Sequence, residues 1–188
     1  RRKEEGYSIF LDLKLHDIPQ TVASAVEALI QLNVDFLTIH ASGGKKMMEA
    51  AKEMARGSNF RLLAVTQLTS TDQQMLNQEL QIAGTVADSV LHLSQLADQA
   101  GMDGVICSGQ EVQMIKQVTS SNFLAVTPGI RPQGSEEHDQ KRVVTPQKAI
   151  EAGADYLVIG RPIIRAASPL DVYKQVVDEI QQAKRSFE

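Results

Sequence analysis

The sequence predicts an α/β fold, a parallel (β/α)8 or TIM barrel, of which these 188 residues supply about the last six βα units. Three observations point there. Short β-branched runs alternate strictly with amphipathic helical stretches, the pattern of parallel strands joined by helical crossovers. No run is followed by a glycine-rich dinucleotide fingerprint, which weakens the alternative of an open doubly wound sheet. Polar residues of chemical interest gather at the C-terminal ends of several different runs, where barrels of this kind carry their chemistry. The chain is read as a single domain, 1–188, incomplete at its front: a closed barrel takes eight units, and two more would occupy roughly 50 residues.

The strand candidates, in order, are "YSIFLDLK", "DFLTIH", "RLLAVTQL", "DGVICS", "FLAVTPGI" and "DYLVIG". Each is short and apolar enough to be buried on both faces. Between them, "TVASAVEALIQLN" places Val22, Ala25, Val26, Leu29 and Ile30 on one helical stripe. "TVADSVLHLSQLADQAG" does the same with Val86, Val90, Leu93 and Leu96. "KKMMEAAKEMA" reads as an amphipathic helix that packs Met47, Met48 and Met54 and leaves its lysines in solvent. Gly101 and Gly153 stand where helices should stop. The final helix opens in "SPLDVYKQ", with Ser168 as its N-cap and Pro169 in its first turn.

Composition narrows the partners. A net charge of −4 with interspersed signs offers neither a basic stripe for nucleic acid nor a polybasic membrane patch. No apolar run reaches the roughly 18 residues needed to span a bilayer, and "RRKEEGYS" has no signal-peptide apolar region. The one cysteine, Cys107, excludes an internal disulfide and fits a reducing compartment. A cytoplasmic protein acting on a small molecule is the expectation.

Three stretches carry the chemistry. In "IFLDLKLHDIPQT" an apolar strand is interrupted by Asp12 and Lys14, which as i and i+2 neighbours project together, and Asp17 follows in the loop. Burying such charges costs several kcal/mol per ion unless they pair, so an acid, base, acid group is a way to hold a cation in a dry site. A structural ion pair is the bland alternative. Three charges at the C-terminal end of one strand exceed what stability requires. Farther on, "VTPGIRPQG" puts Arg131 just beyond a strand, and a polar loop runs through Gln140. "VIGRP" then offers Gly160, where backbone N–H groups can approach an anion, and Arg161, whose planar fork suits a phosphate. Loops after the last two strands are the usual phosphate site of such barrels.

With "HASGGKKMM", "AVTQLTST", "VTPGIRP" and "VIGRPI", the run "DLKLHDIPQT" resembles the bacterial orotidine 5'-monophosphate decarboxylase family, in order and over essentially the whole chain. The resemblance implies cofactor-free and metal-free conversion of orotidine 5'-monophosphate to UMP in pyrimidine biosynthesis. Lys14 resembles the lysine that protonates C6 of the pyrimidine, and Asp12 the carboxylate beside the departing CO2. Asp17, accompanied by Ile18 and Thr21, resembles the group that reaches into the neighbouring subunit's site of a homodimer. Thr69 matches a position on the pyrimidine, and Arg131, Gln140, Gly160 and Arg161 match the phosphate-gripping set. The family also uses an aspartate and a lysine from two earlier units, which these 188 residues do not contain. Two other readings stay open: a Mg-dependent phosphosugar enzyme like 3-keto-gulonate 6-phosphate decarboxylase, and a non-catalytic nucleotide-binding fragment.

The remaining features read as structural. His40 ends its strand with no ligand partners at metal spacing, and His16 sits inside the charged loop in a position to orient it. Cys107 reads as an inert buried thiol. "GSEEHDQKR" reads as a mobile lid between residues of the phosphate set.

Overall fold

The computed structural model describes residues 5–133 and 142–186. Six strands are ordered as they occur in the chain: β1 (Phe10–Leu15), β2 (Phe36–His40), β3 (Arg61–Val65), β4 (Gly104–Ile106), β5 (Leu124–Thr127) and β6 (Tyr156–Leu157). The helices are α1 (Pro19–Ile30), α2 (Lys45–Met54), α3 (Val86–Gln99), α4 (Val112–Val118), α5 (Pro146–Glu151), α6 (Arg161–Ile164) and α7 (Pro169–Arg185). All six expected strands are present, each followed by helix. The chain divides into two compact units, one of Arg1–Thr66, His92–Val105 and Thr119–Phe123, the other of Gln67–Leu91, Ile106–Val118 and Leu124–Glu188.

In the first unit β2 lies between β1 and β3, with parallel pairing on both sides. Leu37, Thr38 and Ile39 are fully buried, as expected of a strand covered on both faces. α1 packs on α2, burying Val22, Ala23 and Val26 on one helix and Met47, Met48 and Ala51 on the other. The stripe on α1 is shifted from the sequence expectation: Ala23 is inside, and Ile30, the last residue of the helix, is exposed. Gly101 ends α3 at φ +77, a left-handed conformation that costs glycine no Cβ clash.

The second unit pairs β5 with β6 in parallel and packs α5 and α6 on α7. Gly153 closes α5 at φ +97. Thr145 caps α5 by accepting the Lys148 N–H at 3.3 Å. Ser168 does occupy the N-cap of α7, but its hydroxyl donates to Asp171 Oδ2 at 2.5 Å instead of accepting a backbone N–H.

Burial on both faces fails at β1 and β6. Leu13 is 47% exposed and Tyr156 is 43% exposed. They are the first and last strands in the order formed by the described residues. Apolar composition is the same for a central and an edge strand, so the sequence does not distinguish them.

A recurring device fixes the N-terminal ends of the strands. Asp35, Asp103 and Asp155 each stand immediately before an even-numbered strand. Their carboxylates accept backbone N–H groups at the start of the preceding odd-numbered strand: Ile9 at 2.7 Å, Leu62 at 2.8 Å and Ala125 at 2.7 Å. Lys52 of α2 pairs with Asp103 at 2.6 Å, and Lys116 of α4 pairs with Asp155 at 2.6 Å.

Candidate active site

The charged cluster of the first unit is made by an irregularity in β1. Phe10 and Leu11 pair with Phe36 and Leu37, and pairing resumes with Leu15 opposite Ile39. Asp12, Leu13 and Lys14 therefore face a single β2 residue, Thr38. Lys14 adopts φ 52, a left-handed conformation that costs a residue with a Cβ about 1–2 kcal/mol. The bulge breaks regular alternation, yet Asp12 and Lys14 still meet: Lys14 Nζ donates to Asp12 Oδ2. The fully buried Thr38 hydroxyl donates to Asp12 Oδ1 at 2.8 Å and accepts the Lys14 backbone N–H at 2.9 Å.

Within these residues the Lys14 and Asp12 side chains are 36% and 45% exposed. An exposed pair contributes at most about 1 kcal/mol to stability. The strain at Lys14 is therefore not recovered as stability by the ion pair, and strained backbone beneath paired charges is what functional sites show.

Two imidazoles adjoin the pair. The rings of His16 and His40 lie 5.3 Å apart, tilted by 39°. Burial holds the His40 pKa below the ordinary 6.5, with His16 and Lys14 acting in the same direction and Asp12 opposing them. A neutral His40 beside Lys14 adds no positive charge to repel the ammonium. Asp17 is not gathered into the group: its Oδ1 accepts the Ile18 N–H at 2.7 Å at the entry to α1. Asp17 and Thr21 are exposed, and Ile18 is 67% exposed.

In the second unit, Thr69 is half-buried in a turn closed by the Thr71 N–H donating to Leu68 O at 2.9 Å. That turn is held from below by Arg142, whose Nη2 donates to Leu68 O at 2.7 Å and Gln67 O at 3.1 Å. Its Nη1 donates to Glu111 Oε1 at 2.6 Å, and both side chains are buried. Burial pushes the Glu111 carboxyl above its ordinary value, while the Arg142 charge pulls it back. Sequence reasoning missed this pair. In the sequence Arg142 is the last residue of "GSEEHDQKR", the run read as a lid, whose residues 134–141 lie outside the described residues, and Glu111 stands in no motif.

Arg131 is buried, with Nη1 donating to Ile130 O at 2.9 Å. Its backbone N–H donates to Val144 O at 2.9 Å, joining the two ends of the loop that follows β5. Gln140 lies outside the described residues. Gly160 is the exposed N-cap of α6, and a Cβ there would meet open space. Arg161 follows it, half-buried. Among the described residues no three His, Cys, Asp or Glu side chains gather into a metal set.

The model of the Orotidine 5'-phosphate decarboxylase / HUMPS family matches residues 1–176. The chain belongs to that family. It is 53% identical over 171 residues to the orotidine 5'-phosphate decarboxylase of Streptococcus sanguinis (strain SK36), covering 91% of this chain and 74% of that protein. It is 51% identical over 177 residues to the orotidine 5'-phosphate decarboxylase of Streptococcus pneumoniae (strain ATCC 700669 / Spain 23F-1), covering 94% and 76%. Among solved structures, that of orotidine 5'-phosphate decarboxylase from Lactobacillus acidophilus superposes with a TM-score of 0.81 at 40% identity, covering 95% of this chain and 77% of that one. The fold is therefore that of about six βα units of a TIM barrel.

Proposed function

We propose that this chain decarboxylates orotidine 5'-monophosphate to UMP in pyrimidine biosynthesis, without a cofactor. The observation that carries this reading is the Asp12–Lys14 pair on the strained bulge at the C-terminal end of β1. In this reaction the bond from C6 to the carboxylate breaks, CO2 leaves, and the electron pair remains on C6 with no adjacent carbonyl to delocalise it. Lys14 Nζ is the proton donor to C6, and Asp12 lies beside the departing carboxylate. An ammonium about 4 Å from the carbanion lowers its energy by on the order of 4 kcal/mol at an effective dielectric near 20. Enzymes must supply roughly 8 to 23 kcal/mol, so binding energy from the remote phosphate is also used to hold the pyrimidine in place.

The phosphate is assigned to Gly160, Arg161, Gln140 and Arg131, with the Arg131 backbone N–H fixing the base of the loop through its bond to Val144 O. Thr69 contacts the pyrimidine from its anchored turn. Asp17, Ile18 and Thr21 serve the partner subunit of a homodimer; their exposure at the entry to α1 supports that assignment. The setting proposed is the cytoplasm. Among the described residues no helix is long and apolar enough to cross a membrane.

The test is loss of orotidine 5'-monophosphate absorbance with the purified chain, the Lys14→Ala variant, and the chain in EDTA. Turnover that survives EDTA and falls at least 1000-fold in the variant supports the reading. An inactive parent chain would refute it, and activity lost to EDTA would assign a metal-dependent chemistry instead.

A further inference from the structure

We infer that Thr38 is the positioning residue of the Asp12–Lys14 pair, one hydroxyl setting both the backbone of Lys14 and the orientation of the Asp12 carboxylate. Its effect on turnover rests on the function proposed above. A threonine hydroxyl has one proton to donate and lone pairs to accept with. Here the proton goes to Asp12 Oδ1 and a lone pair takes the Lys14 N–H. Oδ1 is thereby engaged from β2, and Oδ2 faces Lys14 Nζ.

The bulge makes this contact necessary. Three residues of β1 oppose Thr38 alone, so the Lys14 N–H cannot follow the regular ladder, and the Thr38 hydroxyl accepts it instead. Thr38 has no exposed surface, so solvent does not stand ready to replace the hydroxyl. As a β-branched residue in a fully packed strand, it is also confined to few rotamers, which fixes where the oxygen points. Without it the left-handed bulge loses its internal acceptor and Asp12 is free to turn away from the ammonium.

The experiment compares Thr38→Val, which keeps the shape and removes the hydroxyl, with Thr38→Ser, which keeps the hydroxyl. In Thr38→Val, kcat is expected to fall on the order of 10- to 100-fold with KM changed less than about threefold, because misplacement of a reacting group acts on the chemical step. Thr38→Ser is expected to retain kcat within about threefold. Hydrogen exchange at the Lys14 amide provides a readout independent of turnover. It should be at least tenfold faster in Thr38→Val than in the parent chain and near parent in Thr38→Ser. Unchanged protection of that amide in Thr38→Val, or a kcat within twofold of an active parent, overturns the inference. An inactive parent overturns the proposed function instead, and the exchange result still decides whether Thr38 holds the bulge.

Discussion

Replacing Arg142 by Met tests how the Thr69 turn is supported. The substitution keeps an unbranched, flexible apolar stem, shorter than arginine, and removes the partner of Glu111 and the donors to Gln67 O and Leu68 O. Breaking a buried ion pair on one side costs about 3–5 kcal/mol, because the other charge is left in a dry place. Glu111 can avoid part of that cost by taking a proton. From its ordinary 4.5, protonation at about pH 7 costs roughly 3.4 kcal/mol at 1.36 kcal/mol per unit, which caps the loss through this carboxylate. The cap falls to about 1.4 kcal/mol at about pH 5.5.

The sign of the pH effect follows from linkage. A carboxyl whose folded pKa is raised binds more protons folded than unfolded between its two values, so its contribution is greatest at low pH and is lost as pH rises. Arg142→Met should therefore be several kcal/mol less stable than the parent near pH 7. The gap should narrow by up to about 2 kcal/mol near pH 5.5, measured by urea unfolding with m compared between the two proteins. The paired substitution Glu111→Leu with Arg142→Met should recover most of the ionic loss. A single-variant loss below about 1 kcal/mol, or one indifferent to pH, would refute the account of a carboxylate kept charged by Arg142 in a water-poor site.

Two further outcomes follow from the geometry. Asp103→Ala should cost about 1–3 kcal/mol in urea unfolding, because it removes the acceptor of the Leu62 N–H, whereas Lys52→Met should cost less than about 1 kcal/mol, since that pair is partly solvated; equal losses would contradict this division. Burial pushes the Cys107 thiol up to about 12, with Glu111 adding to the shift, so a thiol reagent near pH 8 should leave the native chain unmodified and react at once with the urea-unfolded chain.

The alternation of β-branched runs and amphipathic helices was legible because burial in a parallel sheet and a 3.6-residue period both leave local marks. Gly101 and Gly153 were legible as stops because their conformations suit glycine in particular. The bulge was not. "FLDLKL" is indistinguishable from a regular alternating strand, and its irregularity appears only in its register with β2, where Thr38 supplies hydrogen bonds 24 and 26 residues away in sequence. For the same reason Thr38 passed as an ordinary strand threonine in "FLTIH". Arg142 and Glu111 are 31 residues apart, and their charges gave no hint that folding would bury them together. Lys14 and Asp12 were found because charge inside an apolar run is conspicuous, but their solvent exposure depends on which strands flank β1, a property of the whole sheet.

The three rim aspartates bear on the order in which the chain can fold. Each carboxylate ties an odd strand to the next even one, across 26, 41 and 30 residues, and none of these ties reaches farther along the chain. Loop-closure entropy rises only slowly over such lengths, and contacts of modest sequence separation favour fast folding. Strand pairs can thus close one after another as the polypeptide lengthens, each fastened before the following pair exists.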